Sequence, residues 1–244
     1  MEQQHITTDP IAYEKIPTKI FKDSKEASNA VAHEIAELIR ERQRQNRNCI
    51  LGLATGSSPK TVYAELIRMH REEGLSFKNV VSFNLDEYFP MEPDSLQSYV
   101  RFMKEQLFDH VDIPKENYFI PDGTVPAALI ADFAQRYDNK MNAMGGIDFQ
   151  LLGIGGNGHI GFNEPTGSLR SRTWIKILSE QTLRDNSAVF GSFDAMPKHA
   201  LTMGIGTILD ARRCLLLAFG PAKVRAVEHM VEGPLAAARL QHSE

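Results

Sequence analysis

Short apolar runs alternating with longer amphipathic stretches limit this chain to very few architectures. Cys49-Ile50-Leu51-Gly52-Leu53, Val80-Val81-Ser82-Phe83-Asn84 and the stretches 147–152 and 213–219 are nearly continuous apolar runs of strand length. A strand buried on both faces reads this way, because neither face needs a polar residue at every second position. Tyr118-Phe119-Ile120 adds a shorter run. Helical patterns fill the gaps. After the capping-box-like Asp23-Ser24-Lys25-Glu26, Ala27, Val31, Ile35 and Leu38 share one face. After Pro59, Val62, Leu66 and Met69 do the same, and helices are also expected over 99–108, 127–144 and 224–231. The alternation predicts an α/β three-layer sandwich whose central sheet is mostly parallel, doubly wound and Rossmann-like.

The remaining segments are less regular. Residues 1–15 are polar and read as a flexible arm, and 16–244 as a single domain. The run 16–21 fits a short edge strand despite Pro17, since proline is tolerated at an edge. Residues 90–98 form a loop long enough to cover a site, 172–178 alternate like a strand, and 200–209 carry a short helix near Gly204 and Gly206. The polar stretch 184–193 has no period that assigns it.

The formal net charge of −4 argues against a nucleic-acid partner, which calls for a basic excess. No apolar run approaches the roughly 20 residues that span a bilayer, so no membrane partner is expected. The two cysteines, Cys49 and Cys214, sit inside apolar segments and read as reduced core residues, which points to the cytoplasm.

In such sheets ligands gather outside the carboxyl ends of the strands. Four chemical signals fall there. Thr55-Gly56-Ser57-Ser58 follows the first apolar run and leads into a helix, so its free N–H groups and the helix dipole can cradle an anion. An ordinary capped turn accounts equally well for that stretch alone. Asp86 and Glu87 follow the second run, and paired acids at a strand end are commonly just solvated. The loop Gly153-Ile154-Gly155-Gly156-Asn157-Gly158-His159-Ile160-Gly161-Phe162-Asn163-Glu164-Pro165 follows the third. Its glycines allow sharp turns and close approach to a ligand, and it holds an imidazole and a carboxylate, the pair a general acid/base near neutral pH requires. Lys223 follows the fourth run and by itself reads as a helix-start lysine. Together, on one edge, the four are harder to dismiss.

Leu51-Gly52-Leu53-Ala54-Thr55-Gly56-Ser57-Ser58-Pro59, Phe83-Asn84-Leu85-Asp86-Glu87-Tyr88 and Asn157 through Pro165 resemble, in order and spacing, the signature blocks of the glucosamine-6-phosphate deaminases. The likeness runs from about residue 20 to 232. It implies conversion of glucosamine 6-phosphate and water to fructose 6-phosphate and ammonia, with no metal and no other cofactor. By motif position, Thr55, Gly56, Ser57 and Ser58, with Gly161 and Lys223, would hold the phosphosugar. His159 would move a proton between O1 and the ring oxygen, with Glu164 and Asn157 beside it. Asp86 would carry a proton from C2 to C1. The resemblance leaves a homo-oligomer open. Related 6-phosphogluconolactonases share the fold but carry a Ser-Leu-Phe-Pro-like segment where this chain has Phe162-Asn163-Glu164-Pro165. A non-catalytic sugar-phosphate sensor is the alternative from another class, but no helix-turn-helix segment is visible and Asp86, His159 and Glu164 are all kept.

Three departures qualify the resemblance. Some members have Asp where this chain has Asn157, which accepts a hydrogen bond but supplies no charge, so the relay would rest on Glu164. Allosterically activated members carry a basic residue at the position of Trp174, within Arg172-Thr173-Trp174-Ile175-Lys176, and an indole cannot hold an effector phosphate as a guanidinium does. A second phosphate-binding arginine, expected near 187–189, is missing in register, with Arg184 as the nearest replacement. The chain also ends at Glu244 where relatives continue into another strand, which reads as truncation or as passage into a longer protein.

Overall fold

The computed structural model describes residues 16–164 and 168–233. The expected N-terminal arm, Pro165 and the extreme C-terminus lie outside them. In chain order the elements are α1 (Ser24–Arg44), β1 (Cys49–Leu53), α2 (Ser57–Glu73), β2 (Val80–Asn84), β3 (Asp86–Phe89), α3 (Tyr99–Gln106), β4 (Tyr118–Phe119), α4 (Ile130–Ala143) and β5 (Phe149–Gly153). There follow β6 (Trp174–Ile177), α5 (Glu180–Ser187), β7 (His199–Thr202), α6 (Ile205–Leu209), β8 (Cys214–Leu217) and α7 (Val224–Val231).

Five strands form a wholly parallel sheet in the order β4-β2-β1-β5-β8. From β1 the chain moves one way to β2 and β4, then returns to place β5 and β8 on the other side. The reversal opens a crevice at the carboxyl ends of β1 and β5, where doubly wound sheets hold ligands. Across this central pair, Gly52 faces Gln150, whose side chain fills the space a Cβ on Gly52 would need. A larger residue at 52 would force the two strands apart.

Helices cover both faces. Val31, Ile35 and Ile39 of α1, Val62, Leu66 and Met69 of α2, and Met103 of α3 pack with Leu51, Leu53, Phe149 and Leu151 of the sheet. On the opposite face Tyr137 and Met141 of α4 and Ile208 of α6 pack with Ile50, Val81, Phe83 and Leu152. Each fully buried aliphatic side chain contributes about 1.5–3 kcal/mol, an upper figure because the unfolded chain is itself partly collapsed. α1 starts where the sequence marks it: the Asp23 side chain accepts from Glu26 N–H at 2.8 Å, and Glu26 Oε2 accepts from Lys22 N–H at 3.0 Å.

The structure corrects several boundaries. Residues 16–21 form no strand; Ile20 is 82% exposed, since no sheet edge lies alongside to pair with it. Asp86 and Glu87 do not sit in a turn but begin β3, part of a second, antiparallel sheet in the order β3-β7-β6. Two acids at its start break the apolar pattern by which a strand is recognised. β7 precedes the short helix α6 within 199–209, where the glycines pointed only to the helix. Within 184–193 the chain is helical through Ser187 and continues as a 3-10 turn, Ala188–Phe190; only Thr182 and Leu183 of α5 are buried, so no apolar stripe announces it. The loop 90–98 is tied down, with Met91 N–H to Gly123 O at 2.9 Å, Ser98 Oγ to Pro93 O at 2.7 Å and Gln97 Nε2 to Val189 O at 3.1 Å. Among the described residues no helix is long and apolar enough to cross a membrane.

Candidate active site

The turn after β1, β3 just after β2, the glycine-rich loop after β5 and Lys223 beyond β8 stand side by side, because β2, β1, β5 and β8 are neighbours in the sheet. At the turn, Gly56 takes φ +100°, a left-handed conformation that costs a glycine nothing. It is also the N-cap of α2 and has no side-chain oxygen to accept from the first helical N–H groups. Those donors are therefore left for a ligand, with the positive end of the helix dipole behind them. Ser57 and Ser58 open the helix, and Tyr63 Oη donates to Ala54 O at 2.6 Å, fixing where the turn leaves the strand. Thr55 is half-buried.

Asp86 is 6% exposed. Among the described residues nothing hydrogen-bonds its carboxylate. Burial, then the neighbouring Glu87, raise its pKa to about 8. Glu87 has a different task. Its Oε1 accepts from Tyr88 N–H at 2.9 Å, and its Oε2 from Tyr99 N–H at 2.8 Å and Val100 N–H at 3.2 Å, so it caps α3. Burial still raises its pKa to about 7, against the pull of those donors.

The glycine-rich loop is a compact turn: Gly155 N–H bonds His159 O at 2.8 Å and Gly158 N–H bonds Gly155 O at 3.0 Å. His159 Nδ1 lies 2.7 Å from Asn157 Oδ1, which also accepts from His159 N–H at 3.2 Å. With the amide oxygen as acceptor, Nδ1 carries the proton and Nε2 keeps its lone pair. Burial lowers the imidazole pKa and the Lys223 charge adds to this, while Glu164 and Asp185 act in the opposite direction. Gly155 makes room for the ring, since a Cβ there would overlap the imidazole. Gly155→Ala is therefore expected to displace His159 and cut turnover about thirtyfold while leaving Tm within a few degrees, as activity assay and thermal melt would record.

Glu164 faces another way. Its Oε1 accepts from Ser179 N–H at 3.3 Å and Thr182 Oγ1 at 3.4 Å, and its Oε2 pairs with Lys176 Nζ at 3.6 Å. Asn157 thus holds the imidazole by hydrogen bond, whereas Glu164 influences it through space.

The antiparallel sheet joins these parts. Asp86 pairs with Thr202 across β3 and β7. Thr202 Oγ1 accepts from Phe162 N–H at 3.2 Å, and Asn163 Nδ2 donates to Met203 O at 2.7 Å. These contacts press the loop onto β7 at Gly161, where φ is +59° and a Cβ would lie 3.0 Å from Thr202 Oγ1 and 3.2 Å from Asp86 Oδ2. Asp86 and the histidine loop therefore meet at Gly161. Lys223 sits at the start of α7 and reaches His159 electrostatically. Arg184 points elsewhere, pairing with Glu180 of its own helix at 2.5 Å, with both side chains largely exposed.

Sequence reasoning missed Thr202, Asn163, Tyr99 and Lys176. Thr202 carried no signal, because its part depends on a strand pairing. Tyr99 could have been noticed as an aromatic right after an N-cap serine, and Lys176 as an inward position in an alternating strand.

The parallel sheet, its switch point and a composite edge with an uncapped helix start, a buried carboxylate and a hydrogen-bonded imidazole define a doubly wound α/β protein with a candidate site for a small anion. More narrowly, the chain belongs to the glucosamine-6-phosphate isomerase/6-phosphogluconolactonase family, whose model matches residues 22–243. It is 50% identical over 218 residues to a glucosamine-6-phosphate deaminase of Hahella chejuensis, covering 89% of this chain and 81% of that protein. It is 46% identical over 222 residues to a glucosamine-6-phosphate deaminase-like protein of Bacteroides thetaiotaomicron; the match covers 91% of this chain but only 34% of that longer relative. A solved structure of a monomeric glucosamine-6-phosphate deaminase superposes with a TM-score of 0.84 at 42% identity, covering 89% of this chain and 88% of the other.

Proposed function

We propose that this chain is a glucosamine-6-phosphate deaminase, converting glucosamine 6-phosphate and water to fructose 6-phosphate and ammonia. The close approach of Asp86 to the histidine loop at Gly161 carries the reading, and the relatives named above support it. The phosphate sits on the free N–H groups and hydroxyls of Thr55, Gly56, Ser57 and Ser58, with Lys223 supplying positive charge. Its binding energy holds the reacting carbons in place through both stages.

In the first stage His159 Nε2 takes the proton of the O1 hydroxyl and returns one to the ring oxygen as the C1–O5 bond breaks. Asn157 keeps the opposite nitrogen protonated, and the Glu164 charge favours the transient imidazolium. In the second stage the Asp86 carboxylate removes the C2 proton of the open-chain aldehyde. The electron pair forms the C1–C2 double bond while the carbonyl π pair moves to O1, which takes a proton from the substrate ammonium, giving an enolamine; the proton then returns from Asp86 to C1 as the nitrogen lone pair forms the C2 imine. Water then adds to the resulting C2 imine and ammonia leaves. Gly161 lets the loop approach the substrate without a side chain between it and Asp86. The two cysteines are unpaired, which fits a reducing cytoplasm.

The deciding experiment is incubation with glucosamine 6-phosphate and measurement of both products. Ammonia and fructose 6-phosphate in equal amounts are expected, and the absence of ammonia overturns the reading. A further expectation concerns regulation. Trp174 Nε1 donates to Asn163 Oδ1 at 3.3 Å and Lys176 pairs with Glu164, so both side chains are engaged with the loop that carries His159. Rate curves are expected to be hyperbolic and unchanged by N-acetylglucosamine 6-phosphate. A sigmoidal curve that this compound renders hyperbolic would show an effector site after all.

A further inference from the structure

The chain's single tryptophan, Trp174, opens β6 at the edge of the antiparallel sheet opposite β3, and it takes no part in the proton transfers. The register nevertheless puts it in one row with Asp86: Asp86 lies opposite Thr202, and Thr202 opposite Trp174. Directly opposed residues of antiparallel strands turn their side chains to the same face, so Asp86, Thr202 and Trp174 present one surface. Three successive residues of the histidine loop lie along it. A Cβ at Gly161 would come within 3.2 Å of Asp86 Oδ2, Phe162 N–H donates to Thr202 Oγ1 at 3.2 Å, and Asn163 Oδ1 accepts from Trp174 Nε1–H at 3.3 Å. The next row on that face, Tyr88, Ala200 and Lys176, continues the seat. There the Tyr88 and Phe162 rings are 5.3 Å apart, and Lys176 pairs with Glu164.

Asn163 carries this contact to the imidazole. It is 3% exposed and uses both ends of its amide. An indole N–H can only donate, so Oδ1 faces Trp174, and Nδ2 is turned to Met203 O at 2.7 Å and Ile160 O at 3.1 Å. Ile160 follows His159 directly, and its N–H donates to Asn163 O at 3.3 Å while its C=O accepts from Asn163 N–H at 3.1 Å. Without the indole donor a buried amide oxygen would lose its partner, and a flipped amide would set that oxygen against two carbonyls. The orientation of Asn163, and so of the turn that carries His159, therefore depends on the indole N–H.

We propose that Trp174 is a positioning residue for the histidine loop: its indole N–H fixes Asn163 and thereby sets where the turn carrying His159 stands relative to Asp86. The inference rests on the reading of His159 as the ring-opening group and adds to it the device that holds that group in place. A space-filling role would require the ring but not its N–H.

Trp174→Phe separates the two, since it keeps an aromatic ring on β6 and removes the donor. The kcat for glucosamine 6-phosphate should fall about tenfold, while the alditol made by reducing the substrate, which has no C1 carbonyl and does not react, binds within about twofold of its original affinity. Solvent-isotope exchange at C2 of an open-chain analogue should also stay within about twofold, because the β3–β7 pairing, not Asn163, holds Asp86. In an Asn163→Ala background Trp174→Phe should cost nothing further, because it acts through that amide. Fluorescence gives a second reading, since all tryptophan emission comes from residue 174. Acrylamide should quench it more readily in Asn163→Ala than in the unaltered protein. An unchanged kcat in Trp174→Phe overturns the proposal, whatever happens to Tm. So do equal losses in cyclic-sugar turnover and C2 exchange, which would mark a general loosening of the sheet. Additive losses in the double variant, or quenching that Asn163→Ala leaves unaltered, overturn it as well. An unaltered protein that releases no ammonia defeats the proposed reaction, and quenching then decides the Trp174–Asn163 link by itself; one that releases ammonia and is matched by Trp174→Phe defeats only the inference.

Discussion

Asp86→Asn is expected to lower turnover of glucosamine 6-phosphate by about 10⁴-fold, the upper range for loss of a positioned general base, while a non-reacting open-chain analogue binds within about threefold of its original affinity. The amide has nearly the shape of the carboxylate, so the β3–β7 pairing and the approach of Gly161 persist, and only the capacity to accept the C2 proton disappears. Turnover left within tenfold of the original would remove Asp86 from the chemistry.

The same residue sets the pH dependence. Because burial raises its pKa to about 8, the empty site holds Asp86 protonated at neutral pH, and kcat/KM should fall roughly tenfold per unit as pH drops below about 8. A substrate ammonium close to the carboxylate favours its ionised form, so the corresponding limb of kcat should lie at lower pH than that of kcat/KM. Stability moves in the opposite sense. Between the ordinary aspartate value and about 8 the folded chain binds more protons at this site than the unfolded one, so stability declines as pH rises through that window. The integrated loss has a ceiling of about 6 kcal/mol, and Asp86→Asn should flatten the slope while leaving the enzyme inert. Denaturant melts of both proteins from pH 5 to about 9 measure it; parallel slopes would mean that Asp86 is not held protonated by the fold.

The two halves of the molecule differ in how plainly the sequence announces them. Cys49–Leu53 and Val80–Asn84 are buried on both faces, so their apolar runs are unbroken and their ends fall where the pattern stops. That Thr55, His159 and Lys223 gather on one sheet edge was readable too, since each follows a strand of the parallel sheet. The antiparallel sheet obeys another logic. Asp86 lies against the histidine loop and Glu87 caps the start of α3, and their polarity hides the strand they begin. Thr202 looks like any threonine until its pairing with Asp86 is known, and that pairing spans 116 residues, from 86 to 202. Local pattern reveals local structure, whereas contacts between Asp86, Gly161 and Thr202 depend on where distant segments dock. The orientation of Glu164 is a similar case: the resemblance implied a place beside His159, but Ser179, Thr182 and Lys176 take its oxygens.

His159→Gln tests whether ring opening is a separate duty. With Asn157 Oδ1 2.7 Å from Nδ1, the only ring nitrogen left to exchange protons is Nε2, and glutamine offers at that place an amide that neither gives nor accepts a proton near neutral pH. The cyclic substrate should therefore react about 10³-fold more slowly, in the middle of the range for general acid/base groups, while an open-chain analogue that enters after the ring-opening step should lose no more than about threefold. The contrast matters more than either loss. A histidine that merely braced the loop against Asp86 through Gly161 would, when replaced, disturb C2 proton transfer as well, and both compounds would slow together. Solvent-isotope exchange at C2 of the open-chain analogue gives a second reading, because Asp86 alone should govern it. If exchange in His159→Gln falls as steeply as turnover of the cyclic sugar, the imidazole and the carboxylate serve one step, and the division of labour between them is wrong.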